Sequence, residues 1–292
     1  MKNPFTRTLQ TLLASLLLLA PATPARTAPA PEEKLKAEDV VAKHRASVGP
    51  AADLAAVKSL VAVGSVRAVT RLNTPRAILG VGQFASEGDK VLFALALNSS
   101  DYPYEKAGYD GQRLTVAQLP EGRRSTLGDF LKGHDAPFKQ GLVGGVISTA
   151  WPLFNAGPEM LKLSYAGADK IDERKVHKLR YDPRRSGGLQ ITLFFDDETF
   201  RHVRTEYRYS VAAGMGAAAE LSVRQQESHY KLIEEFSDFK TAGKLTLPHA
   251  YKLTCTIEEQ NNTRVLQWTV AFSKFAFNQE IDVKAFSFSN AG

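Results

Sequence analysis

Histidine, cysteine and clustered carboxylates are the side chains through which this chain could do chemistry, and their spacing argues against most of it. His44, His134, His177, His202, His229 and His249 form no H-x-H or H-E-x-x-H pair and stand in no Cys-His ligand spacing, so no metal site is expected. Cys255 belongs to the run Tyr251, Leu253, Cys255, Ile257, which alternates with Lys252, Thr254, Thr256 and Glu258. That phase points it inward as a small apolar group, away from the electropositive, accessible setting a reactive thiol needs. Asp196-Asp197-Glu198-Thr199 reads as a solvated hairpin turn, because a calcium site would need more converging oxygens at a different spacing. A G-x-S-x-G elbow and a P-loop are absent, and Gly214-Met215-Gly216 lies in an Ala/Gly-rich loop between strands instead of opening a helix. The chain is therefore expected to be no enzyme and to hold no cofactor. Arg123-Arg124 and Arg184-Arg185 sit in turn contexts and read as solvated loops rather than phosphate clamps. The net charge of +6 is spread without a basic stripe, which excludes a nucleic-acid reader.

Lys2 and Arg7 precede an apolar run over 12–20, followed by Pro-Ala-Thr-Pro-Ala. This is the order of a secretory signal peptide with cleavage after Ala22 or Ala25, and the run is too short to span a bilayer. The expected organisation is a signal peptide over 1–25, a Pro/Ala-rich tether over 26–31 and a single domain over 32–292, periplasmic and without a lipobox. One cysteine makes no internal bridge, so the core alone must stabilise the domain.

The elements that would carry these side chains begin with a helix over 32–48, whose apolar stripe is Ala37, Val41, His44 and Val48 and whose stop is Gly49-Pro50. A short helix over 51–59 follows. Period-two alternation then takes over: Val203, Thr205, Tyr207, Tyr209 and Val211 alternate with His202, Arg204, Glu206, Arg208 and Ser210, and Leu266, Trp268, Val270 and Phe272 alternate with polar or small residues. One apolar and one polar face means antiparallel pairing, since parallel strands are covered on both sides. Further strands are expected at 60–72, 77–85, 90–97, 113–118, 176–181, 189–195 and 230–239, with tight turns at Glu87-Gly88-Asp89 and Tyr109-Asp110-Gly111. The apolar phase slips between Phe272 and Phe275, which predicts a bulge near Ser273-Lys274. The fold class is α+β, mainly β: a strongly curved antiparallel sheet, a half-open barrel of about ten or eleven strands, with helices on its concave face.

A helix-like, apolar stretch over 125–163 interrupts the strands. It either plugs the concave face as ordinary core or forms a lid over an apolar cavity, with Gly141, Gly144, Gly145, Gly157 and Pro152 as points of mobility. In the second case the lining would come from Phe138, Leu142, Val146, Trp151 and Phe154 of the stretch. It would be completed by Val203, Tyr207, Tyr209, Tyr251, Leu253, Leu266, Trp268, Val270 and Phe272 of the sheet, chosen by strand phase.

Several local runs carry a family resemblance. They are the helix Glu38-Asp39-Val40-Val41-Ala42-Lys43-His44-Arg45-Ala46-Ser47-Val48-Gly49, the turn Tyr109-Asp110-Gly111, and Phe195-Asp196-Asp197-Glu198-Thr199. Near the end come Phe236-Ser237-Asp238-Phe239-Lys240 with Gly243 and Leu247-Pro248, then Phe277-Asn278-Gln279-Glu280-Ile281 before Phe286. Together the chain resembles the LolA/LolB-like periplasmic lipoprotein-carrier superfamily. The resemblance implies a half-open barrel whose concave apolar side binds lipid chains or lipidated proteins. It implies as partners a lipid acyl chain or a lipidated envelope protein, with transient contact to a membrane surface and a monomeric state. An interaction or envelope-sensing module with a filled core is the rival reading.

Overall fold

The period-two segments become, in a computed structural model, one antiparallel sheet of twelve strands in the order β5-β4-β3-β2-β1-β12-β11-β10-β9-β8-β7-β6. The residues described are 35–71, 76–155, 161–182, 188–211, 228–259 and 262–288; the expected signal peptide, tether and cleavage site, Arg184-Arg185 and Gly214-Met215-Gly216 lie outside them. The strands are β1 (Ser59–Arg71), β2 (Arg76–Glu87), β3 (Lys90–Leu97), β4 (Tyr104–Tyr109), β5 (Leu114–Val116) and β6 (Leu163–Ile171). They continue with β7 (Arg174–Tyr181), β8 (Gln190–Asp196), β9 (His202–Val211), β10 (Ser228–Ala242), β11 (Leu245–Glu259) and β12 (Asn262–Phe277). Consecutive strands pair as a meander except at the centre, where β1 pairs with β12 from Leu60 opposite Phe277 to Arg71 opposite Val265. β5 and β6 are the two edges, so the sheet curves without closing.

Two of these strands were not expected. β4 hides because its inward phase opens with Glu105 ahead of Ala107 and Tyr109, a charged residue where an apolar one marks a strand. β6 hides because it is an edge strand, mostly exposed, and carries no buried stripe. The turns at Glu87-Gly88-Asp89 and Tyr109-Asp110-Gly111 close the β2–β3 and β4–β5 hairpins, with Glu87 opposite Lys90 and Tyr109 opposite Leu114. Asp196 Oδ1 accepts from both the amide and the hydroxyl of Thr199, which makes 196–199 the β8–β9 turn.

Bulges set which face each side chain takes. On β12, Lys274 lies opposite Val63 and Phe272 opposite Gly64, leaving Ser273 as the extra residue where the phase slip predicted it. The backbones come close there: a Cβ on Gly64 would lie 2.0 Å from the Ala271 carbonyl oxygen. On β9, His202 lies opposite Phe195 and Arg204 opposite Phe194, so Val203 is the extra residue. This corrects the sequence reading of β9. The alternation from Thr205 onward does not extend back through the bulge; His202 is fully buried, and Val203 lies with Arg204, Glu235 and Lys252 along a hollow on the outer side.

The helices are α1 (Ala37–Val48), α2 (Ala51–Ala56), α3 (Thr126–Gly133), α4 (Ala136–Lys139) and α5 (Pro152–Asn155). α1 begins later than expected because Lys36 is still extended and its N–H bonds to Asp39 Oδ2 at 2.9 Å, closing the first turn. Its buried stripe is Ala37, Val40, Val41, His44 and Val48. Residues 125–155 form the insert, in which α3, α4, a 3-10 turn at Gly145–Ile147 and α5 follow one another over the concave face. One core includes α1, the insert and the inward side chains of both halves of the sheet. A smaller one lies on the outer side, where Phe286 covers Ala85 and Leu92. Among the described residues no helix is long and apolar enough to cross a membrane.

Candidate functional site

The interior beneath the insert is where sheet, α1 and insert converge. From the insert, Phe138, Leu142, Val146 and Trp151 are buried there, and from the sheet Tyr207, Tyr251, Leu253, Trp268, Val270 and Phe272. The packing is tight: Trp151, Trp268, Tyr207, Tyr251, Phe138 and Leu142 are among the largest side chains removed from solvent. Val270 already fills its place, since a Cβ added to Gly82 would lie 3.0 Å from Val270 Cγ1. Three candidates sit at the margins. Phe154 is half-buried beside a groove of about 600 Å³ bounded by α1 and α2. Tyr209 and Leu266 are half-buried, Tyr209 packing on His134 with ring centroids 4.0 Å apart. Val203, on the outer side, does not join the set.

The feature that phase reasoning passed over is polar. Glu234 on β10 follows Tyr230 and Leu232 and precedes Phe236 in the inward phase, and it is 1% exposed. Its Oε1 accepts from the Gly144 N–H at 2.8 Å and from the Tyr251 hydroxyl at 2.9 Å, and its Oε2 accepts from the Tyr207 hydroxyl at 2.7 Å. Gly144 offers this N–H from a left-handed conformation, φ 80°, that a side chain would strain. Burial pushes the Glu234 carboxyl up to about 7 against the pull of those three donors, and burial and the neighbouring carboxylate push both tyrosines well above their ordinary range.

A second buried carboxyl, Glu105 on β4, accepts from the Tyr102 hydroxyl at 2.5 Å, and the Trp268 indole N–H donates to that hydroxyl at 3.0 Å. Burial raises Glu105 to about 7, opposed by hydrogen bonds from Ser125 and Tyr102. Ser125 also caps α3 by accepting from the Gly128 N–H at 2.9 Å. Cys255 is fully buried, and burial, reinforced by Glu105, pushes its thiol up to about 12, far from a nucleophile's range.

Two histidines complete the interior. Trp151 Nε1–H donates to His44 Nε2 at 3.1 Å, so the His44 proton is on Nδ1, which donates to the Phe200 carbonyl at 3.1 Å. Burial holds His44 down at about 4, and burial with the nearby His44 holds His202 well below its ordinary value. His202 stacks on Trp151 with centroids 4.7 Å apart and bonds through Nε2 to Thr205 Oγ1 at 2.9 Å.

These contacts fasten the insert to its surroundings: Gly144 to Glu234, Trp151 to His44, the Arg45 guanidinium to the Leu153 carbonyl, and Thr149 N–H to Ser86 Oγ at 2.9 Å. The insert is thus an apolar plug with a few polar latches, and what the arrangement can do is hold closed an interior whose walls are apolar. The Glu234 signal was present in the sequence as a carboxylate in apolar phase within a strong strand. His202 had none, because only the bulge turns it inward. Arg123 and Arg124 pair with Glu121 and Asp129, both at 2.9 Å, and are spent locally.

No family model matches the chain, and no curated protein does. Solved structures are similar. One is a LolA superfamily protein from Nitrosomonas europaea, at 14% identity over 87% of this chain and 98% of that chain, with a TM-score of 0.45. A domain described as an outer membrane lipoprotein-sorting protein, from Vibrio parahaemolyticus, is 11% identical over 85% of this chain and 95% of that one, with a TM-score of 0.42. Lipoprotein LppX from Mycobacterium tuberculosis is 12% identical over 84% of this chain and 97% of that one, with a TM-score of 0.23. The first of these bears the name of the superfamily that the sequence resembles.

Proposed function

We propose that this chain is a non-enzymatic binder of a hydrophobic ligand, a lipid or a lipidated protein of the cell envelope, taken up on the concave face when the insert moves aside. The observation that carries the reading is the insert itself. Its fully buried apolar side chains pack on the sheet through side-chain contact and a few polar latches, with no strand pairing to break. An acyl chain that replaced Leu142, Val146 and Trp151 would return the sheet an equivalent apolar surface, so the exchange costs far less than exposing it to water. The rival, an interaction or sensing module with a permanently filled core, is favoured by the density of that packing around Val270.

Tryptophan fluorescence separates them, because Trp151 and Trp268 are the only tryptophans and stand on opposite sides of the junction between insert and sheet. Titration with an acyl amphiphile below its micelle concentration should give a saturable emission change that Trp151→Phe largely removes, and organic extraction of natively purified protein should release a reproducible lipid. Silence in both measurements would leave the filled-core module as the function.

A further inference from the structure

We infer that Glu234, with Tyr207 and Tyr251, is the specificity site of the interior, and that it selects acyl lipids bearing a hydrogen-bond-donating nitrogen, an amide N–H, over esters and free fatty acids. The inference rests on the ligand-binding reading above and deepens it.

In the closed structure the carboxyl group of Glu234 is satisfied by three donors, none of them a cation. Two of the donors, the hydroxyls of Tyr207 and Tyr251, come from β9 and β11 and stay with the sheet. The third is the backbone N–H of Gly144, and it leaves with the insert. When ionised, the buried Glu234 carboxylate cannot lose a donor to an apolar acyl chain without a large penalty, so at a pH above about 7 the incoming molecule must replace it. The group being replaced is a secondary amide N–H lying among apolar side chains, Leu142 and Val146 on its own segment and Phe84 within 3.0 Å of where a Gly144 Cβ would stand. An amide-linked acyl chain has that same constitution: one N–H donor with hydrocarbon attached. An ester of equal shape offers only acceptors to a site that is itself an acceptor, and a fatty-acid anion brings a second negative charge. Discrimination of this kind is strong because the wrong ligand leaves a buried polar group unpaired.

The test uses the full mature-length chain and three probes that share one acyl chain, N-ethyl palmitamide, ethyl palmitate and palmitic acid, the first two also matched in size, each titrated at about pH 8 so that the carboxyl is ionised. Wild type should bind the amide about ten-fold or more tightly than the ester, with the acid weakest. Glu234→Gln, which keeps the shape and supplies a donor of its own, should bring the ester and acid up to within about three-fold of the amide. A circular-dichroism melt checks that this variant is folded, and if it is not, the wild-type series decides by itself. Equal affinity for amide and ester in wild type would overturn the inference while leaving the binder reading intact. Absence of binding by all three probes would overturn the binder reading, and this inference with it.

Discussion

Glu234 and His44 sit within one interior and respond to acid in opposite directions. Burial raises the folded-state pKa of Glu234 from 4.5 to about 7, so its protonated form is the one the fold favours. Its contribution to stability is complete below about 4.5 and is lost as pH rises through about 7. His44 is depressed from 6.5 to about 4, so its contribution is present above 6.5 and lost as pH falls through about 4, when a protonated ring can no longer accept the Trp151 indole N–H. Between those limits the two slopes oppose each other and the parent protein shows a muted profile. Glu234→Gln removes one of them. The stability of that variant relative to the parent should therefore increase from about pH 4.5 to 7, by at most about 1.4 kcal/mol per pH unit, in urea titrations across the range. A difference independent of pH would show that the Glu234 carboxyl titrates alike in the folded and unfolded chain, against the upward shift that burial gives it.

At the level of elements, β1 leaves no room for a side chain at Gly64, where it passes β12 beside the Ser273 bulge. The obstacle there is β12 backbone, whereas a Cβ on Gly133, at the end of α3, meets nothing within 4 Å. Gly64→Ala should cost about 3 kcal/mol or more through displacement of the seam, and Gly133→Ala should change stability by less than about 1 kcal/mol, in either case read from the urea midpoint. A mild Gly64→Ala would mean that the bulge absorbs the methyl group. This bulge was legible from the sequence because Phe272, Phe275 and Phe277 reveal the slip by their size. The Val203 bulge was not, since His202 and Val203 read equally well on either face until Phe195 fixes the register. Most strands were legible from apolar phase. The polar heart of the site was legible only in part: Glu105 breaks the alternation by which β4 would be found, whereas Glu234 stands in the apolar phase of an expected strand, between Leu232 and Phe236.

At the scale of the whole molecule, the meander holds each half together by neighbouring hairpins and joins the halves through one ladder. Residues 212–227 connect β9 and β10, which pair from Val211 opposite Ser228 to Arg204 opposite Glu235. A protease site engineered into 212–227 and cut should therefore yield two fragments that co-elute on gel filtration and separate only in denaturant. Native separation of the fragments would show that the β9–β10 and β1–β12 ladders together do not hold the single-domain organisation proposed for 32–292.

The pairing of β1 with β12 also orders events in time. Leu60 finds Phe277 only after the residues between them have been made, whereas every other strand pair joins neighbours in sequence. A growing chain can form β1 to β5 early and β6 to β11 next, yet throughout that interval it carries β1 and β11 as bare edges, each a template for another chain. Such a long closure is slow, and it falls to the last strand synthesised. β12 is thus the step that turns two aggregation-prone half-sheets into one protein, and the lifetime of the unsealed form is set by how soon Phe277 arrives.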